Sequence, residues 1–328
     1  VKKLFAILLS AVAITASAQT VNGAGATFPA PIYAKWASAY NKETGVQINY
    51  QPIGSGGGIK QIESKTVDFG ATDDPLSADD VAKNGYYQFP AVIGGVVPVI
   101  NLKGIEAGKL LLDGRTLADI FAGKITKWND AAIAKLNPAI ALPDLTITIV
   151  VRADSSGTTA VFTDYLCQVN DEFKKTVGSG KTISWRAPAV TAGKGNAGVA
   201  AFVNQLPGAI GYVEYAFAKQ GKMNYASMLD KKGKVVHPDD TTFAESAKSA
   251  NWNVPGMAVN LNNQAGWPIT AATFIIVYRE GNAKTKDVTK FFDWAFANGD
   301  KIADELDYVA LPATVKAQIR TDWAKLIK

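Results

Sequence analysis

The chain has 328 residues, 48% hydrophobic and 19% charged, with 34 Lys and Arg against 29 Asp and Glu. That length exceeds what one hydrophobic core usually serves, so two domains are expected, and the apolar content is ample for both. A formal charge of +5 is too small and too scattered for a nucleic-acid surface; the lone Cys167 rules out an intramolecular disulfide, and the lone His237 argues against a multi-histidine metal site or a Ser-His-Asp machine.

The first stretch, VKKLFAILLSAVAITASAQT, places Lys2 and Lys3 before an apolar run from Leu4 to Ile14 and a small-residue ASA ending at Ala18. This is the pattern of an export signal, with cleavage expected after Ala18, and its apolar run of about a dozen residues falls short of the roughly 20 that a membrane span needs. Loss of Lys2 and Lys3 would take the formal charge from +5 to +3.

GAGATFPAPIYAKW, residues 23–36, joins a flexible Gly-Ala run to helical spacing through a hydroxyl, an aromatic and a proline. Proline suits a first helical turn, where its missing N–H would have no partner, so Thr27 and Phe28 fall at a helix N-terminus. VQINYQ alternates Val46, Ile48 and Tyr50 as a strand does; PIGSGGG then breaks the run, with Ser55 among glycines, before the short amphipathic IKQIESK. VDFGAT is strand-like and ends at Asp73 and Asp74. The segments 89–102 and 267–280 are apolar runs with strand-forming residues, and each is a candidate for a segment crossing between domains or for a buried central strand. LTITIVV alternates Leu145, Ile147, Ile149 and Val151, RADSSGTT follows, and the next helix carries Val161, Phe162, Tyr165, Leu166 and Val169 on one face. Cys167 in that helix is expected to be buried and inert. Lys231, Lys232 and Lys234 around Gly233 read as a solvated turn, and His237 in VVHPDD as a loop residue. Near the end, Phe291, Phe292, Trp294 and Phe296 have the spacing of core packing. Strands alternating with helices predict an α/β fold with largely parallel sheets.

The three Gly- and Ser-rich loops share one design: each delivers a hydroxyl to a helix N-terminus, where N–H groups and the helix dipole favour an anion. Arg152 follows the last residue of a strand, where open α/β sheets bind ligands, and its planar fork suits phosphate oxygens, with Asp154 near enough in sequence to hold it. A carboxylate at such a site is useful only if the ligand carries a proton. Asp73 could accept that proton's hydrogen bond and thereby reject fully ionised sulfate, so phosphate is the natural ligand. Asp74 is the rival carboxylate, because adjacent residues of an extended chain point opposite ways. Neither GAGATF nor GSGGGI completes a dinucleotide-binding or P-loop motif.

Taken together, GAGATFPAPIYAKW, GSGGGIKQI, VDFGATDDPLS, RADSSGTTAVFTDYL, LPGAIGYVEYAFAK, FFDWA and LDYVALP resemble, in order and across nearly the whole mature chain, the bacterial periplasmic phosphate-binding proteins of Pst-type ABC transporters. The resemblance implies a two-domain α/β fold of the type II, Venus-flytrap kind, whose domains are joined by two crossing segments and close around one phosphate. Residues 19–100 and 272–328 would form domain I and residues 101–271 domain II. Carried onto matching positions, it implies phosphate donors at Thr27, Phe28, Ser55, Arg152, Ser156, Gly157 and Thr158, with Asp73 as acceptor and Asp154 holding Arg152. Two departures, Gly56 where some members have a second serine and Ser155 where some have glycine, leave the donor count of those loops open. The implied protein is periplasmic, needs no cofactor or metal, acts as a monomer without nucleic acid, and hands phosphate to an inner-membrane permease. The rivals are a secreted phosphatase or phosphotransferase using Ser55 or Ser156 as nucleophile, and a carrier of another tetrahedral oxyanion.

Overall fold

The computed structural model describes residues 20–327, so the leader assigned to residues 1–18 lies outside the described residues. Strand β1 (Thr20–Gly25) leads to helix α1 (Ala30–Thr44), and β2 (Gln47–Pro52) to α2 (Ser55–Glu63). Strands β3 (Phe69–Thr72) and β4 (Tyr86–Ile100) follow. The scheme then repeats: β5 (Thr148–Arg152) leads to α3 (Gly157–Val169), and β6 (Val190–Gly193) to α4 (Gly195–Gln205), before β7 (Ala209–Glu214). Strand β8 (Thr270–Tyr278) and helices α5 (Thr285–Asn298) and α6 (Ala313–Leu326) bring the chain back to its first half.

These strands pair in the order β2-β1-β3-β8-β4-β7-β5-β6, with the short strand Asn224–Tyr225 as a further neighbour of β4. The flanks are parallel, as alternation of strand and helix dictates: β1 pairs in parallel with β2 and β3, and β5 with β6 and β7. The centre is antiparallel, because β8 runs against both β3 and β4, and β4 against β7. The sheet is therefore mixed rather than largely parallel. β4 faces β8 from Tyr86 to Gly95 and β7 from Val96 to Ile100, so one strand carries the chain from one half of the sheet into the other. All 15 of its residues are buried, which explains an apolar run without alternation. Its Pro90 lies where the register with β8 shifts, an irregularity that accommodates a residue with no N–H to give the ladder.

Helix α1 starts beside Pro29 and Pro31 and stops at Gly45, whose left-handed conformation (φ 75°) lets its N–H cap the Asn41 carbonyl. It buries Ile32, Tyr33, Trp36 and Tyr40 against α5 and the sheet. Phe292 is the hub, with ring centroids 5.7 Å from Tyr33 and 5.6 Å from both Phe69 and Phe89. Burying a ring of this kind contributes about 1.5–3 kcal/mol, so the aromatics of α5 are a fastening between the C-terminal segment and the first half. Phe291 and Phe296 are buried with it, and Trp294 is partly buried, its Nε1 donating to Glu43 at 2.7 Å. Cys167 is a buried thiol in α3, and burial raises its pKa.

Candidate functional site

Four loops meet where parallel strands end. The loop after β1 supplies Thr27 and Phe28, that after β2 supplies Ser55, β3 is followed by Asp73, and the loop after β5 carries Asp154 to Ser156. Backbone hydrogen bonds stitch them together: Gly54 N–H to Gly25 O (2.8 Å), Ala26 N–H to Ala71 O (2.9 Å) and, across the two halves, Gly56 N–H to Ser155 O (3.0 Å). Close approach demands glycine at two points. A Cβ on Gly54, whose φ is +96°, would lie 2.3 Å from Asp154 Oδ2, and one on Gly157 would lie 2.4 Å from Ser55 Oγ and 2.8 Å from the Asp73 nitrogen. Gly56 and Ser155, the two departures, face each other: a Cβ on Gly56 would sit 2.2 Å from Ser155 Oγ, so the hydroxyl added on one loop occupies the space left by glycine on the other.

The hydroxyls are arranged by what they already accept. A hydroxyl has one proton to give and two lone pairs. Ser55 Oγ, fully buried, accepts from Gly157 N–H (3.0 Å) and Asp73 N–H (3.3 Å). Thr27 Oγ1 accepts from the backbone and side-chain nitrogens of Asn196 (3.1 and 2.8 Å), and Thr158 Oγ1 from Arg152 Nη1 and Asn196 Nδ2 (both 3.3 Å). With their lone pairs engaged, all three keep their O–H protons as donors. Ser156 caps α3 by accepting from Thr159 N–H at 3.0 Å. Gly157 gives its N–H to Ser55, whereas the N–H groups of Phe28, Ser55 and Thr158 have no acceptor among the described residues.

Charge in the site is nearly balanced. Arg152, its side chain 1% exposed, forms a fork with Asp154 through Nε–Oδ1 (2.9 Å) and Nη2–Oδ2 (2.6 Å), and Gly195 N–H adds a bond to Asp154 Oδ1 (2.9 Å). Burial alone would raise the Asp154 pKa, but the Arg152 hydrogen bonds and charge outweigh it and hold the carboxyl below its ordinary value. Asp73 is 2% exposed, and neither of its carboxylate oxygens has a hydrogen-bond partner among the described residues. Burial lifts its pKa from an ordinary 3.8 to about 7, against the opposing pull of Thr273, Arg152 and Thr158. Asp74 points the other way, into a half-exposed ion pair with Lys181. The structure thus turns Asp73 inward and leaves the rival carboxylate on the surface. His237, an exposed loop residue, has Nδ1 2.7 Å from Ser227 Oγ, and its partners are not those of the four loops.

Sequence reasoning missed Asn196, Glu214 and Tyr308. Asn196 opens α4 after AGKG, a fourth Gly-rich loop feeding a helix N-terminus, so the signal was present. Glu214, buried at the end of β7, accepts from Ala216 N–H (2.9 Å), and Tyr308 Oη lies 2.8 Å from Glu214 Oε2 and 2.7 Å from the Phe28 carbonyl. Burial raises the Glu214 pKa well above the carboxylate range. A phenol has one proton for these two acceptors. A neutral Glu214 donating a hydrogen bond from Oε2 to Tyr308, which then donates to Phe28, gives both protons an acceptor and leaves Glu214 Oε1 as the oxygen of this set without a partner among the described residues.

Comparison with known proteins shows the family and the fold. A family model described as a PBP superfamily domain matches residues 11–298. The phosphate-binding protein PstS of Pasteurella multocida is 53% identical, with 99% of this chain and 96% of that protein covered. Among solved structures, a chain from Clostridium perfringens assigned as a phosphate ABC transporter substrate-binding protein, with phosphate bound, aligns with a TM-score of 0.67 at 17% identity, covering 90% of this chain and 100% of its own. A high-affinity periplasmic phosphate-binding protein bound with phosphate aligns with a TM-score of 0.72 at 21% identity, covering 93% and 94%. The last two speak for the two-domain α/β binding-protein fold. By the family model and the close relative, the chain belongs to the PBP superfamily and, within it, to the Pst-type phosphate-binding proteins.

Proposed function

We propose that this protein binds inorganic phosphate outside the cytoplasm and delivers it to an ABC permease of the inner membrane, working as a monomer without cofactor or chemistry. The single observation that carries this reading is Asp73: a buried carboxylate with two unpartnered oxygens, set among O–H and N–H groups that have only donating left to do. Such a set matches a tetrahedral anion that is mostly acceptor but keeps one proton. Thr27, Phe28, Ser55, Ser156 and Thr158 would present donors, Arg152 a charged fork steadied by Asp154, and Asp73 the acceptor for the anion's hydroxyl; Gly157, expected from the sequence as a further donor, has its only N–H on Ser55 Oγ and would instead hold that hydroxyl in place. Sulfate would leave Asp73 opposite an unprotonated oxygen, a mismatch that costs several orders of magnitude in related recognition problems.

Closure belongs to the same reading. We assign residues 19–100 and 272–328 to one domain and 101–271 to the other, because β4 passes between the two sheet halves and the aromatics of α5 pack on the first. Thr27, Ser55 and Asp73 then come from one domain and Arg152 to Thr158 from the other, so only a closed cleft lets all of them reach one anion, and phosphate favours that state. A phosphatase using Ser55 or Ser156 would need a base; both hydroxyl oxygens accept from backbone N–H groups, and His237 is engaged with Ser227 instead. The purified protein should take up one phosphate per chain and release no chromophore from a chromogenic phosphate ester. Sustained turnover of the ester would refute the carrier assignment.

A further inference from the structure

We propose that Asn196 is a positioning residue for the anion site, acting through Thr27 and Thr158 without touching the anion. The proposal rests on the phosphate-carrier reading. Asn196 is fully buried at the start of α4. Its amide orientation is fixed by its partners: Glu214 N–H can only donate, and it lies 2.9 Å from Oδ1. Nδ2 must then turn its two protons toward Thr27 Oγ1 (2.8 Å) and Thr158 Oγ1 (3.3 Å). Asn196 N–H adds a second bond to Thr27 Oγ1 at 3.1 Å, so one residue fills both lone pairs of that hydroxyl.

Two consequences follow. The Thr27 O–H has no acceptor role left and is committed as a donor; the same holds for Thr158, whose other lone pair faces Arg152 Nη1 at 3.3 Å. The contact also joins positions 169 residues apart, Thr27 from the N-terminal loop and Asn196 from the second half, so donor orientation and closure are set by the same hydrogen bonds. The neighbouring Gly195 N–H holds Asp154 at 2.9 Å, which places the start of α4 behind both the hydroxyl donors and the Arg152 fork.

The test is a set of calorimetric phosphate titrations on the full mature chain. Asn196→Ala is expected to weaken binding by about tenfold, the scale of one or two hydrogen bonds lost from an ordered site. In a Thr27→Ser background, which keeps the hydroxyl, the same substitution should again cost about tenfold. In a Thr27→Val background it should cost only about threefold, the remainder passing through Thr158. A purely structural role would give the same cost in all backgrounds, and that additivity would overturn the proposal, as would wild-type affinity in Asn196→Ala. Should the alanine variant fail to fold, Asn196→Asp takes its place: it keeps the acceptor for Glu214 N–H, loses the side-chain donors and adds a charge that repels the anion in every background, so the proposal is read only from the difference between the Thr27 and Thr27→Val backgrounds, where that common cost cancels, and equal costs in the two would overturn it. The unaltered chain is titrated alongside, and if it binds no phosphate the carrier reading itself has failed, a result distinct from equal costs among variants of a binding protein.

Discussion

Replacing Asp73 by Asn should remove a specific pH dependence from the stability of the ligand-free protein. Burial raises the folded-state pKa from 3.8 to about 7, so between those values the folded form binds a proton that the unfolded chain does not. The contribution is complete below pH 3.8 and is lost as pH rises through about 7. Moving the carboxyl from 3.8 to about 7 corresponds to about 4 kcal/mol, and the residue is 2% exposed, so solvent screening reduces it little. At roughly 2 °C per kcal/mol for a chain of this size, the melting midpoint of the ligand-free protein should fall by about 8 °C from this group alone between pH 4 and 8. An amide does not titrate, so Asp73→Asn should flatten that portion of the profile in scanning calorimetry, leaving the contributions of Glu214 and other groups. Parallel profiles for the two proteins across pH 4–8 would show that Asp73 is an ordinary solvated carboxylate, and the electrostatic reasoning would be wrong.

Other substitutions probe separate parts of the site. Gly157→Ala places a methyl 2.4 Å from Ser55 Oγ and 2.8 Å from the Asp73 nitrogen, so the loops of the two halves should no longer meet; phosphate affinity is expected to drop by roughly a hundredfold in titration calorimetry while the ligand-free melting midpoint changes little. Arg152→Lys cannot reproduce the fork to Asp154 and should weaken phosphate binding by at least about tenfold, measured the same way. Tyr308→Phe strands the buried Phe28 carbonyl and the Glu214 carboxyl together and should lower stability by about 2 kcal/mol in denaturant melts at neutral pH; a change within error would contradict the proton chain drawn through Glu214.

The parallel flanks and the three Gly- and hydroxyl-bearing loops at helix N-termini were legible because their signals are local. Alternating strands such as LTITIVV, glycines with Ser55 or Ser156, and prolines at helix starts need no tertiary information. β4 and β8 gave weaker signals: a strand buried on both faces has no alternation, and its direction depends on which neighbour it meets. The choice between Asp73 and Asp74 was likewise undecidable locally, since it is settled by Lys181, more than a hundred positions away in the chain. Asn196 shows a different limit. Its GKGN loop carries the same grammar as the others, but its role arises from Thr27 and Glu214, which only the folded chain brings to it. The departures at Gly56 and Ser155 looked like independent changes in donor count and prove to be neighbours sharing one space.

The central claim is that a buried acceptor among committed donors selects a protonated tetrahedral anion. Parallel calorimetric titrations of the purified mature protein with phosphate and with sulfate at neutral pH test it most directly. The account predicts one phosphate per chain, with sulfate weaker by at least about a thousandfold. Comparable binding of the two anions would contradict it.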